Sequence, residues 1–273
     1  MIENYQLTVG GLRIHAQSAG EGIPFLLHSG VWNEMHQWGA LRDHLHGFRV
    51  ITYDAPGIGS SEVPPSPMSM RGLADIGAGI LDRLGVSSAH VMGVSFGGAV
   101  AQQMALSHPE RVDRLVLAST SFGGLALPGR LSALLHMMHP GGYHPDRLAR
   151  SAGAMFGGKM RTQPELAANL SMTKPGSRQA RMFRLSALAG WTSLPYLSLI
   201  RHQTLVLCGD DDPVTPHVNH RVMARLIPSA RLHTVTGGGH LALLDSAHEL
   251  GPVISAFLHG ADERPAAVTA RAG

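Results

Sequence analysis

Cysteine is almost absent. Cys208 is the single one in 273 residues, so the chain forms no internal disulfide and no multi-cysteine metal site. Long apolar runs are absent as well. The longest, such as residues 23–28 and 114–118, fall far short of the roughly 18–20 residues that cross a bilayer. Charge is scarce: 15% of residues are charged and the net charge is +3 with histidine neutral. A balance that small and scattered argues against a nucleic-acid partner. The opening MIENYQLTVGGLRI lacks the basic and apolar regions of a secretory signal. With the lone thiol, this predicts a reducing cytoplasm.

What is present is material for a core. Apolar residues make up 44%, which excludes a disordered chain. The length suits one large domain, or a domain carrying an insertion. The 33 Gly and 17 Pro predict many tight turns. Seventeen histidines stand out, but without metal-ligand spacing. His136 and His139, and His217 and His220, lie three apart with no carboxylate or thiol to complete either pair. No metal site is expected.

Short apolar runs alternate with amphipathic stretches. Residues 5–9 and 12–17 flank Gly10-Gly11, a hairpin signal. Strands are predicted at 23–28, 49–53, 89–94 and 114–119, and helices near 35–46, 70–84 and 98–108. The pattern resumes with strands at 203–208 and 231–235 and helices near 217–227 and 248–259. Strands alternating with helices predict an α/β fold, a mostly parallel central sheet with helices on both faces.

Between 122 and 199 the alternation stops. The spacing there is helical, and nine Arg or Lys face only Asp146 and Glu165, a net +7 in a chain of +3. This marks an inserted helical subdomain. The predicted organisation is a core of 1–121 and 200–260, the insertion at 122–199, and a loose tail at 261–273.

The sharpest chemical signal is Gly93-Val94-Ser95-Phe96-Gly97, between an apolar run and a helical one. G-x-S-x-G in that setting is a nucleophile elbow. The glycines let strand and helix pass closely, and the hydroxyl is lifted to a helix N-terminus, where developing negative charge is favoured. Serine needs a base, and the base an orienter, in the order Ser, acid, His for this elbow. Residues 209–216 read GDDDPVTP after an apolar strand. Asp212 is the expected acid and Asp210 the second choice. Gly237-Gly238-Gly239 precede His240, and such a turn can bring the imidazole over the sheet edge, so His240 is the expected base. The oxyanion needs two backbone N–H donors. Phe96, next after the serine, is one. The other lies in the loop His28-Ser29-Gly30-Val31-Trp32: counting back from Trp38 favours Val31, counting forward from His28 favours Gly30, and Val31 is preferred. Gly30 and Trp32 in this loop, with Met138 and Trp191 in the insertion, are the expected contacts of the acyl group. Leu131, Leu134, Leu135 and Met138 fall at helical spacing. A Met-rich face of this kind adapts to varied chains, and equally suits plain packing. The basic insertion suits carboxylate-ended oligomers or an anionic surface, as well as simple solvation.

These residues give the chain its resemblance. With DAPGIGSS at 54–61 and HPERV at 108–112, it resembles the α/β-hydrolases nearly from end to end. Within them it is most similar to intracellular depolymerases of medium-chain-length polyhydroxyalkanoate. That likeness rests on GVSFGGAVAQQMALSHPERVDRLVLAS (93–119), LAGWTS (188–193) and TLVLCGDDDPVTP (204–216). The resemblance implies an α/β-hydrolase fold with an inserted helical cap. It also implies a Ser-Asp-His ester hydrolase, needing no cofactor, that acts on 3-hydroxyacyl oligoesters at storage-granule surfaces. Phe96 stands where that family usually has Trp, and the loop HSGVWNE departs from its form. Both departures fall at the acyl site. They bear on the substrate and not on the triad, and leave a promiscuous small-ester carboxylesterase as an alternative. A C–C bond hydrolase or perhydrolase on the same triad is another, and a catalytically dead binding homologue a third, against which the intact Ser95, Asp212 and His240 argue.

Overall fold

The computed structural model describes residues 1–31, 35–138, 145–166 and 178–261. Its eight strands are β1 (Ile2–Val9), β2 (Leu12–Ala19), β3 (Ile23–His28), β4 (Phe48–Tyr53), β5 (Ala89–Val94), β6 (Val112–Ala118), β7 (Gln203–Gly209) and β8 (Ala230–Val235). They form one sheet in the order β1-β2-β4-β3-β5-β6-β7-β8. The first two strands pair antiparallel, as β2 does with β4, and the rest are parallel. Gly10 and Gly11, both at positive φ, make the tight turn between Val9 and Leu12.

The helices are α1 (Gly39–Arg42), α2 (Met70–Arg83), α3 (Phe96–Ser107), α4 (Leu131–Met138), α5 (Pro145–Phe156), α6 (Arg178–Leu188), α7 (His217–Leu226), α8 (Ala242–Asp245) and α9 (Ala247–Leu258). Alternate residues of each central strand divide between two cores. Leu26, Val91, Leu115 and Leu117 join Ile76, Ile80 and Met104 of α2 and α3 and Met223 of α7. Phe25, Leu27, Met92 and Val116 join Leu41 of α1 and Ile254 and Phe257 of α9 on the other face. Strands buried on both sides read as unbroken apolar runs, which is why they were visible in the sequence.

The expected helix over 35–46 is shorter. It is a 3₁₀ turn at Met35–Trp38 followed by the single turn α1. The reason is tethering: the Met35 amide donates to Asp54 (3.2 Å) and the Trp38 indole to Ser29 (2.8 Å). Asp54 also accepts from the Ser60 amide (2.9 Å), and a Cβ on Gly59 would strike its carboxylate at 2.3 Å. The D-x-x-G-x-G-x-S turn therefore anchors the loop after β3.

Chain order reverses between β3 and β5, whose partners lie on opposite sides, and ligand sites form at the strand C-termini of such a switch point. The inserted helices α4, α5 and α6 lie between β6 and β7. The two roots of the insertion are joined by a bridge between Gly123 and Thr192. Two glutamines of α3 hold these roots. Gln102 donates to the Ser121 carbonyl and accepts from the Ser193 hydroxyl, and Gln103 accepts from the Trp191 indole (2.9 Å). From residue 262 onward the expected tail lies outside the described residues. Among the described residues no helix is long and apolar enough to cross a membrane.

Candidate active site

Ser95 sits between the end of β5 and the start of α3 at φ 54, ψ −119, a conformation that costs an L-residue about 1–3 kcal/mol. Close backbone passage enforces it. A Cβ on Gly93 would lie 2.1 Å from the Gly97 carbonyl oxygen, and one on Gly97 would lie 2.1 Å from that of His28. Thr120 secures the bend by donating its hydroxyl to the Ser95 carbonyl (2.7 Å). Its own amide donates to His220 Nε2 (3.0 Å). Burial lowers the His220 pKa to about 4, so the ring is neutral and free to accept.

The three adjacent aspartates take three directions. Asp210 is exposed and accepts from the Gly237 amide (2.7 Å). Asp211 receives Arg161 through two hydrogen bonds (2.6 and 2.9 Å) and the Gly158 amide (2.8 Å), which hold its carboxyl below its ordinary pKa. Asp212 turns inward. Its carboxylate accepts from the Val214 and Thr215 amides, the Thr215 hydroxyl and His240 Nδ1 (2.8 Å). Burial works to raise the Asp212 pKa, but the facing imidazole and these hydrogen bonds overcome it and hold the carboxyl below its usual range.

His240 places Nε2 3.0 Å from Ser95 Oγ. Serine, imidazole and carboxylate thus form one chain across 145 residues of sequence. The glycines before His240 serve close contact more than flexibility. Gly237 is at positive φ with open space around it, whereas a Cβ on Gly239 would meet the Phe156 carbonyl oxygen at 2.3 Å and Gly157 at 2.6 Å. The His240 amide donates to that same Phe156 oxygen (2.7 Å). The insertion therefore grips the turn carrying the histidine as well as the aspartate loop, through Arg161 and through the Arg130 amide on the Pro213 carbonyl (2.7 Å). Neither grip was legible in the sequence. Gly237→Ala is expected to cost about 1–2 kcal/mol of stability from φ alone. Gly239→Ala should cost more and also lower activity, because the His240 backbone must shift. Thermal denaturation of both variants beside their turnover checks this.

A cavity of about 520 Å³ opens beside Ser95, within the usual range for ligand sites. Val31 and Phe96 border it, with Leu134, Met137, Leu185 and Leu188 of the insertion. Three expected placements differ. The cavity face of α4 carries Leu134 and Met137, while Leu131 and Leu135 are exposed. Trp191 does not line the cavity: its indole is held by Gln103 at the insertion root, so the LAGWTS motif is divided, with Leu188, Ala189 and Gly190 on the cavity and Trp191 and Ser193 at the attachment. Gly30 also lies off the lining and accepts from Arg184 (3.2 Å). Trp32 and the Met138 side chain lie outside the described residues. Asn219, overlooked in the sequence, borders the cavity and clamps the Leu127 backbone with a donor and an acceptor (2.8 and 3.0 Å). Among the described residues no group of three His, Cys, Asp or Glu is placed to hold a metal ion.

The family model described as alpha/beta hydrolase fold matches residues 23–247. The chain belongs to the α/β-hydrolases. This α/β-hydrolase is 42% identical over 217 residues to the poly(3-hydroxyalkanoate) depolymerase of Ectopseudomonas oleovorans, covering 79% of this chain and 76% of that one. It is 28% identical over 278 residues to a 2-hydroxymuconate semialdehyde hydrolase of a Pseudomonas strain, covering 94% of each. Among solved structures, the enol-lactonase of Burkholderia xenovorans superposes with a TM-score of 0.80 at 22% identity, over 94% of this chain and 100% of that one. This last likeness concerns the fold.

Proposed function

We propose that the protein is a serine ester hydrolase acting on medium-chain 3-hydroxyacyl oligoesters. The observation that carries this reading is the unbroken relay from Ser95 through His240 to Asp212 beside an apolar cavity. In the proposed reaction Ser95 Oγ attacks the ester carbonyl carbon as His240 Nε2 takes the hydroxyl proton. The carbonyl π pair moves onto oxygen, and the Val31 and Phe96 amides receive that charge, each worth about 3 kcal/mol. Asp212 steadies the imidazolium. The C–O bond to the leaving alcohol then breaks and His240 returns the proton to it. A water, deprotonated by the same imidazole, attacks the acyl-serine and frees the acid. Residues 122–199 act as a cap whose leucines meet the acyl chain.

The depolymerase relative supports the substrate class. Among p-nitrophenyl esters of graded length, turnover is expected to peak at medium chains, and latex of medium-chain polyhydroxyalkanoate should clear. Preference for acetyl or butyryl esters with untouched latex would instead make the protein a small-ester carboxylesterase. A second reading, C–C bond hydrolysis on the same relay, draws on the semialdehyde hydrolase relative. Turnover of a vinylogous diketone well above that of any ester would favour it.

A further inference from the structure

Arg184 of α6 is a buried cation with an unusual set of neighbours. It is only 4% exposed, and no carboxylate pairs with it among the described residues. Its Nη2 donates to the Gly30 carbonyl (3.2 Å), and its guanidinium lies over the Phe96 ring, Cζ 4.7 Å from the centroid. Its Nε and Nη1 are buried without a hydrogen-bond partner among the described residues. Burial lowers its pKa only to about 10, so it is charged at neutral pH. A buried charge with no carboxylate partner among the described residues is costly to keep, and a neutral side chain would pack there more cheaply.

One contact falls on the peptide that carries the Val31 N–H, through the Gly30 carbonyl, and the other on the ring of Phe96, whose amide is the other proposed oxyanion donor. The Gly30 carbonyl and the Val31 N–H are opposite ends of one planar trans peptide, and they point in opposite directions. Anchoring the carbonyl on a cation turns the N–H the other way and polarises it as a donor. Val31 and Phe96 both border the cavity that holds Ser95.

We infer that Arg184 is a positioning residue for the oxyanion site, orienting and polarising the Gly30–Val31 peptide through the Gly30 carbonyl and fixing Phe96 through its ring. The inference rests on the Ser95 hydrolase reading, and it selects Val31 over Gly30 as the second donor. It also makes the oxyanion site complete only when α6 of the insertion is seated on the core.

The test compares wild type with Arg184→Gln, Arg184→Met and Arg184→Lys on a medium-chain p-nitrophenyl ester. A trifluoromethyl ketone of matching chain, which Ser95 converts to a hemiketal oxyanion, is run beside its methyl ketone analogue. For the neutral variants kcat should fall about 10–100-fold with KM within about twofold. Trifluoromethyl ketone affinity should drop by the same factor, while methyl ketone affinity should hold. Their Tm should not fall, and Arg184→Lys should recover part of the rate. Unchanged kcat would overturn the inference, as would equal weakening of both ketones or neutral variants that fail to fold. A loss confined to KM for carboxylate-bearing esters would make Arg184 a substrate anchor instead, which also overturns it. Hemiketal formation by the wild type, seen by fluorine NMR, reports the hydrolase reading separately. If it forms in wild type and equally well in Arg184→Gln, only this inference fails.

Discussion

Replacing Ser95 by Ala is expected to lower the rate of ester hydrolysis about 10⁶-fold, and His240→Ala should do the same. The geometry explains why the two should match. The hydroxyl and the imidazole are separated by 3.0 Å, and neither acts without the other: the serine is a poor nucleophile until its proton has somewhere to go. The double variant should therefore be little worse than either single one. Rates of p-nitrophenyl ester hydrolysis at saturating substrate measure all three. Additive losses would mean that the two residues work independently, against the proposed relay.

Asp212→Asn should cost less, about 10⁴-fold, and should leave the fold intact. Asp212 accepts four hydrogen bonds, one of them from His240 Nδ1. An amide in its place presents donors where the site requires an acceptor, so the imidazole is driven to the wrong tautomer. Asp210→Asn is the matched control. That side chain is exposed and caps the Gly237 amide with Oδ1, an atom Asn retains, so turnover should stay within about twofold. Hydrolysis rates of the two variants at equal concentration decide between the carboxylates. Severe loss in Asp210→Asn with a mild effect in Asp212→Asn would reverse the assignment.

Much of this is legible in the sequence. The central strands are buried on both faces, so they read as apolar runs, and each falls within a residue or two of its predicted place. Ser95 and His240 were marked by glycines, which sequence shows as turn signals, although the close passes that require Gly97 and Gly239 are against His28 and Phe156, distant in the chain. Asp212 was harder. Three identical side chains stand in a row, and which of them turns inward depends on Gly237, Arg161 and His240, all of them 27 or more positions away in sequence. The insertion was recognisable by composition, but its facing was not. Helical spacing marked Leu131, Leu134, Leu135 and Met138 as one stripe, whereas the cavity face carries Leu134 and Met137. Helical period alone does not say where the core lies. Arg184, the arginine beneath the loop after β3, looks in the sequence like one more charge on a basic segment. Its meaning arises from contact with Gly30, 154 positions away.

The most direct measurement is the site of attachment of a fluorophosphonate, mapped by mass spectrometry of peptides. One adduct is expected, on Ser95, formed rapidly by the wild type and not by His240→Ala. An adduct on another residue, or equal labelling of Ser95 without the imidazole, would contradict the proposed relay.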